Sequence, residues 1–335
     1  MKKMYILVLT SCFLFAATSC KTNKNTSGTE ESEKVVVNVP TFSADSAYQY
    51  IQAQVDFGPR VPNTKQHVAC GEFLANKLAS FGAQVTNQYA DVIAFDGTIL
   101  KARNIIGSYK PESKKRLLLF AHWDTRPWSD NDPDPKNHHT PLLGANDGAS
   151  GVGVLLEIAR QIQKEAPVLG IDIIFFDAED YGIPQFMDKT NMGNTNQYYC
   201  LGSQYWARNT HVEKYNARFG ILLDMVGGRN ATFYKEGDSE KYAKNVNTKV
   251  WKKARELGFG KFFIDQVNGY IMDDHIPVNQ YARIPSIDIV PNFPDNKQSS
   301  FGSTWHTISD NMDDIDKNTL SAVGQTVMAV IYNEK

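Results

Sequence analysis

Carboxylates and imidazoles recur in this chain wherever an apolar run stops. His122 and Asp124 close Arg116-Leu-Leu-Leu-Phe-Ala-His122, Asp147 stands in Gly144-Ala-Asn-Asp-Gly-Ala-Ser-Gly151, and Glu179-Asp180 follows Phe175-Phe-Asp-Ala178. Asp224 ends Ile221-Leu-Leu-Asp224, Asp273-Asp274-His275 form one run, and Trp305-His306-Thr307 follows a serine-rich loop. Gathered at one sheet edge, such groups repel unless a cation joins them, and their oxygen and nitrogen donors suit Zn²⁺. In an adjacent pair such as Glu179-Asp180, one acid can bind metal while its neighbour moves protons. Each residue also has a plainer reading taken singly. Asp147 reads as a helix cap, Glu179-Asp180 as a solvated turn, His122 as a hydrogen-bonded histidine at the sheet edge, and Trp305 as an ordinary aromatic. Their recurrence at successive strand ends favours a site. The glycine-rich run lacks the Lys-Ser/Thr of a P-loop and the spacing of a dinucleotide fingerprint, which sets phosphate binding aside.

The elements that must position these groups follow from periodicity. Helical spacing covers 43–54, 66–81, 148–164, 239–257 and 317–332, and strands are expected over 84–93, 104–108, 116–122, 170–176, 218–223 and 284–290. Several of those strands are apolar throughout, as central strands covered on both faces require. The pattern predicts an α/β sandwich with a mixed, mostly parallel sheet, and no repeat or second domain. Two long polar stretches, 128–141 and 181–199, each follow a strand, the end at which α/β proteins build sites.

The 335-residue chain carries a net charge of −2, which gives no basic footprint and argues against nucleic acid as a partner. Lys2-Lys3, an apolar run to Thr18 and then Ser19-Cys20 describe a secretory signal. Ala17-Thr18-Ser19-Cys20 resembles a lipobox, so residues 1–20 are expected to be a lipoprotein signal with a lipid anchor on Cys20. Residues 21–38 begin with a polar stretch too poor in apolar residues to fold and read as a tether, leaving 39–335 as one catalytic domain. An exported lipoprotein facing the periplasm of a bacterial envelope, acting as a monomer, is the expected setting. Cys70 and Cys200 remain, either as a disulfide or as two buried thiols.

The order His122-x-Asp124, Asp147, Glu179-Asp180, Asp224, His306 resembles the zinc aminopeptidase clan with an α/β core. Phe57-Gly-Pro-Arg-Val-Pro62, Asp273-Asp-His-Ile-Pro277 and Trp305-His-Thr-Ile-Ser-Asp-Asn311 bring it nearer to the animal-type glutaminyl-peptide cyclotransferases and their bacterial relatives. That resemblance runs from about Phe57 to the C-terminal helix and implies a three-layer sandwich. It implies a single Zn²⁺ held by Asp147, Asp180 and His306, with Asp180 in place of the more usual Glu. It further implies Glu179 as general base, Asp224 and Asp273 as catalytic acids around the reacting amine, and Trp305 as a wall of the substrate pocket. The implied reaction closes the N-terminal glutamine of peptides or proteins into pyroglutamate and releases ammonia. The chain departs from the pattern where Asp288 stands near the place of a His, and where no Trp between Tyr181 and Tyr199 matches a second pocket indole. A di-zinc aminopeptidase is the strongest rival, since His122, Asp147 and Asp224 are all available to a second metal. A catalytically dead binding ectodomain is the other alternative, against which the intact acid and imidazole set argues.

Overall fold

The computed structural model describes Met1 and residues 37–335, and Val37–Lys335 forms one compact unit. The signal expected over 1–20 and nearly all of the tether expected over 21–38 lie outside the described residues.

Helices α1 (Ala44–Val55) and α2 (Lys65–Ser80) come first, each capped by a hydroxyl, Ser43 or Thr64, that accepts a backbone N–H of the first turn. Strands β1 (Gln84–Ile93), β2 (Ile99–Tyr109) and β3 (Arg116–His122) follow, then α3 (Ala149–Lys164), β4 (Gly170–Phe176), α4 (Leu201–Arg208) and β5 (Gly220–Leu223). The remainder comprises β6 (Phe233–Lys235), α5 (Gly237–Glu256), β7 (Phe263–Val267), a one-turn α6 (His275–Pro277), β8 (Ser286–Ile289) and α7 (Lys317–Asn333). The main sheet has the order β1-β2-β4-β3-β5-β8; β1/β2 and β2/β4 are antiparallel, and β4/β3, β3/β5 and β5/β8 are parallel.

Alternation along the buried strands makes the layers. Leu117, Leu119 and Ala121 of β3 join Ile171, Ile173 and Phe175 of β4 in a core packed with α1, α2, α3, α5 and α7. Leu118 and Phe120 join Ile174, Phe176 and Leu222 on the opposite face, under Trp206 of α4 and Val278. The period-two alternation thus sends every apolar side chain of these strands into one helix layer or the other. Each such side chain, fully buried, contributes roughly 1.5–3 kcal/mol. This is the expected α/β three-layer sandwich.

The differences from the periodicity reading are local. Strand β2 begins earlier, at Ile99, because it pairs along the whole length of β1. Strands β5 and β8 are shorter than expected, because the regular ladder covers only Gly220–Leu223 and Ser286–Ile289, although Arg218 and Phe219 still bond to β3 and Pro285 to β5. Helix α4 and the two-stranded β6/β7 sheet were not predicted. At eight, three and five residues they are too short to show a period.

Candidate active site

Strands β3, β4 and β5 run parallel, so their C-terminal ends deliver His122, Asp124, Glu179, Asp180 and Asp224 to the same edge. Asp147 arrives from the turn before α3. That turn is held by Arg60, whose guanidinium donates to the carbonyls of Trp123, Leu143 and Gly144, and by Asp310, whose carboxylate accepts the amides of Asn146 (2.7 Å) and Asp147 (3.1 Å). Gly148 is required there, because a Cβ would lie 2.5 Å from the His122 carbonyl and 2.6 Å from its ring. Asp124 shapes the next loop, accepting the amides of Glu179 (3.1 Å) and Asp180 (3.2 Å).

Two groups of potential metal ligands share Asp147. In one, Asp147, Asp180 and His306 each offer a donor atom, all lying within 4.8 Å of one another. His306 Nε2 is 3.6 Å from Asp147 Oδ2 and 3.4 Å from Asp180 Oδ1, while Asp180 Oδ2 is buried with no hydrogen-bond partner. In the other, His122 Nε2 lies 2.9 Å from Asp147 Oδ1 and 3.2 Å from Asp224 Oδ1. An imidazole proton can therefore close the second group from within, whereas the first retains an orphaned carboxylate oxygen. A pair of carboxylates and an imidazole with an unsatisfied oxygen is a donor set that fits Zn²⁺.

The two carboxyls of the first group are shifted in opposite directions. Burial tends to raise Asp180, but His306, Arg126 and His122 outweigh it and hold the carboxyl below its usual range. Asp147 is raised by burial and by the Asp180 charge, as expected of an acid awaiting a cation. Burial opposes protonation of His122, yet Asp124, Asp147 and Asp224 together push its pKa well up.

A third group contains Glu179 itself. Glu179, Cys200 and Asp273 bring their donor atoms within 4.8 Å of one another. Burial, reinforced by the charges of Asp180, Asp273 and Asp274, raises Glu179 well above an ordinary carboxyl despite the opposing His122. Asp273 is raised by burial, Asp224 and Asp274, and Asp274, chiefly by burial, to about 7. Asp288, where the sequence departs from the family pattern, is fully buried in β8 beside Asp273 and is itself raised.

Trp305 stacks on His306 with ring centroids 3.7 Å apart and meets Phe301 at a tilt, with centroids 5.0 Å apart. It borders a cleft of about 690 Å³ with Arg126, Ile183, Met187, Tyr199 and His306. Tyr199 and Met187 thus line the side for which the sequence offers no second Trp. The structure brings together Asp147, Asp180, His306, Glu179, Asp224 and Asp273, and sets Trp305 at their edge.

Several supporting residues were not anticipated. Arg126 forks onto Asp130 (2.8 and 2.7 Å) and reaches Asp180 Oδ1 at 3.2 Å, and Asp130 Oδ1 lies 3.3 Å from His306 Nδ1. Asp310 is raised to about 8, by burial and by Asp147. Cys200 touches Glu179; it and Cys70 are buried free thiols, so no disulfide joins them. The spacing of Arg126 and Asp130 in a loop carries no periodic signal, and only the fold shows that they face Asp180 and His306.

The chain is similar to known proteins over most of its length. Residues 104–331 match Peptidase family M28. A glutaminyl cyclase of Bacteroides thetaiotaomicron, solved bound to N-acetylhistamine, is 68% identical and superposes with a TM-score of 0.86, over 89% of this chain and 100% of that one. A structure from the same organism described as a leucine aminopeptidase precursor is also 68% identical, with a TM-score of 0.85 over 90% of this chain and 100% of that one. The glutaminyl-peptide cyclotransferase of the snake Boiga dendrophila is 24% identical over 68% of this chain, which spans 64% of that protein's length.

Proposed function

We propose that this chain, which belongs to peptidase family M28, is a zinc-dependent glutaminyl cyclase, an acyltransferase that converts N-terminal glutamine of peptides and proteins to pyroglutamate. The observation that carries the choice over an aminopeptidase is the asymmetry of the two groups sharing Asp147. His122 already closes one of them, and only the other keeps an orphaned carboxylate oxygen. That supports one zinc, held by Asp147, Asp180 and His306. A cyclase needs no metal-bound water, whereas peptide hydrolysis by a metal pair does. The likeness to a glutaminyl cyclase at 68% identity supports the same reading.

When bound, zinc supplies a Lewis acid for the γ-carboxamide oxygen of the substrate. The chain's own residues do the rest. Glu179 takes a proton from the α-amine as that nitrogen bonds to the side-chain carbonyl carbon, and it returns the proton to the departing amide nitrogen, which leaves as ammonia. A base with a raised pKa suits both halves of that transfer. Asp273, grouped with Glu179, and Asp224, 3.2 Å from His122 Nε2, hold and orient the amine. Trp305 packs against the substrate side chain and excludes water. Nucleophile and target belong to one molecule, so holding the attacking conformer supplies much of the acceleration.

The leader reading supports export and a lipid anchor on Cys20, with the enzyme facing the periplasm, and the near-neutral charge fits a monomer. The test of the activity uses the soluble chain from Lys21 and a peptide beginning with glutamine, followed by mass spectrometry. The expected product is lighter by one ammonia, blocked to amine reagents and lost on chelation. Release of free glutamine and a shortened peptide would establish the aminopeptidase instead.

A further inference from the structure

Glu179 does not stand alone on its loop. The first residues of α4 are stitched to that loop, with the amides of Cys200, Leu201 and Gly202 donating at 3.0 Å to the carbonyls of Glu179, Ala178 and Asp177. The approach is as close as backbone allows, since a Cβ on Gly202 would lie 2.1 Å from the Asp177 carbonyl. The base and the start of α4 are therefore one rigid unit.

Cys200 sits at the head of that unit in the left-handed region, with φ 55°. Glycine or asparagine occupies such a position with least strain, so a cysteine there asks for a reason in its side chain. Its Sγ lies 3.3 Å from Glu179 Oε1. Among the described residues it is the one side chain that hydrogen-bonds the Glu179 carboxylate. Burial and the surrounding acids Glu179, Asp274 and Asp273 keep the thiol neutral, which makes it a donor and not a thiolate nucleophile.

We infer that Cys200 is a positioning residue for the base: its S–H donates to Glu179 Oε1 and thereby fixes which carboxylate oxygen turns to the substrate. The inference deepens the cyclase reading and rests on it for its kinetic test. A weak donor suits the task, because the carboxylate must later hold and surrender a proton without competing against a strong fixed bond. Cys200 touches neither the metal ligands' donor atoms nor the cleft, so its removal acts on the chemical step and not on substrate capture.

The test compares Cys200→Ala with Cys200→Ser, each loaded with zinc, on a peptide beginning with glutamine. Ala is expected to lower kcat about tenfold with KM within about twofold, through loss of alignment at the base. Ser keeps a donor and a similar volume and is expected to recover most of that loss. Wild-type kcat in Cys200→Ala, or equal losses in the two variants, would overturn the inference, the second result because it would report packing alone. An infrared measurement tests the contact without any turnover. The Cys200 S–H band should lie below that of Cys70, a buried thiol with no carboxylate partner among the described residues, and should rise towards it in Glu179→Ala. A band unmoved by that substitution would refute the contact, whereas failure of the wild-type chain to cyclise any glutamine peptide would refute the activity and leave the band test standing.

Discussion

Replacing Asp130 by Asn tests whether the pocket is built to hold a metal through His306. Asp130 is buried; it accepts Arg126 through both oxygens, accepts the Gln185 amide at 2.7 Å, and faces His306 Nδ1 at 3.3 Å. Burial alone would raise its pKa, yet Arg126 and His306 hold it far below the usual carboxylate range. Asn has nearly the same shape but carries no charge, and its amide turns a donor towards groups that already donate. His306 then loses the carboxylate that orients its ring, and Arg126 is left to lean on Asp180, a second proposed ligand, from 3.2 Å. Outer-shell partners of this kind typically change metal affinity 10–100-fold, or about 1.4–2.7 kcal/mol. Without metal, removing one partner of a buried ion pair costs up to roughly 3–5 kcal/mol, and the retained acceptor brings the expectation for Asn to about 2–4. Competition against a fluorescent zinc chelator measures the first quantity, and denaturation in excess chelator measures the second. Zinc affinity within twofold of the parent, with the apo protein destabilised, would show that Asp130 is only structural and that the His306 orientation argument is wrong.

Glu179→Gln should lose about 10²–10⁴ in kcat with zinc content unchanged, because only the proton carrier is removed; near-normal turnover would sink that role. Elemental analysis should find one zinc per chain, retained in His122→Ala and lost in His306→Ala. Two zincs, one of them lost with His122, would favour the aminopeptidase. Glu236 bears on acid stability: burial would raise its pKa, but His275 and the amides of Asp238 and Ser239 outweigh it and bring it to about 2. A depressed acid stabilises fully above the ordinary carboxylate range and loses that contribution as pH falls through about 2. Glu236→Gln should therefore cost about 2–3 kcal/mol near pH 6 by denaturant titration, and the gap should close towards pH 2; a pH-independent gap would show the pairing to be immaterial.

Much of this was legible because central strands announce themselves. Arg116–His122 and Gly170–Phe176 are apolar runs whose ends carry polar residues, and parallel pairing forces those ends to one edge. Glu179, Asp180 and Asp224 were therefore visible as strand-end interruptions, whereas Asp147 and His306, in a turn and a loop, stood out only by their motifs. Arg126, Asp130, Cys200 and Asp310 were not visible, because each acts across a loop on a residue far away in sequence. Asp310 reaches the amides of Asn146 and Asp147, and Cys200 reaches Glu179, only after the chain has folded. Periodicity encodes which face of an element is buried; it does not encode which loops meet beyond the sheet.

Asp288 shows what such a site costs. It lies wholly buried in β8, and neither carboxylate oxygen has a donor. Burial, together with the charges of Asp273, Asp224 and Glu236, pushes its pKa well up. Its meeting with Asp273 is a hydrogen bond only when one of the two acids holds a proton. An acid with a raised folded pKa destabilises the fold at every pH above its unfolded value, and the penalty grows until the folded pKa is reached. Asn fills the same volume without that penalty, so Asp288→Asn should stabilise the protein by about 1–3 kcal/mol at pH 7–8, with the gain fading below pH 4. It should also slow turnover, because Asp273 would lose the partner with which it shares a proton. Gain in stability joined to loss of rate marks a group retained for chemistry. Denaturant titration at both pH values and steady-state kinetics read the two effects separately. A destabilised Asp288→Asn with unaltered kcat would reverse the conclusion and make Asp288 part of the scaffold.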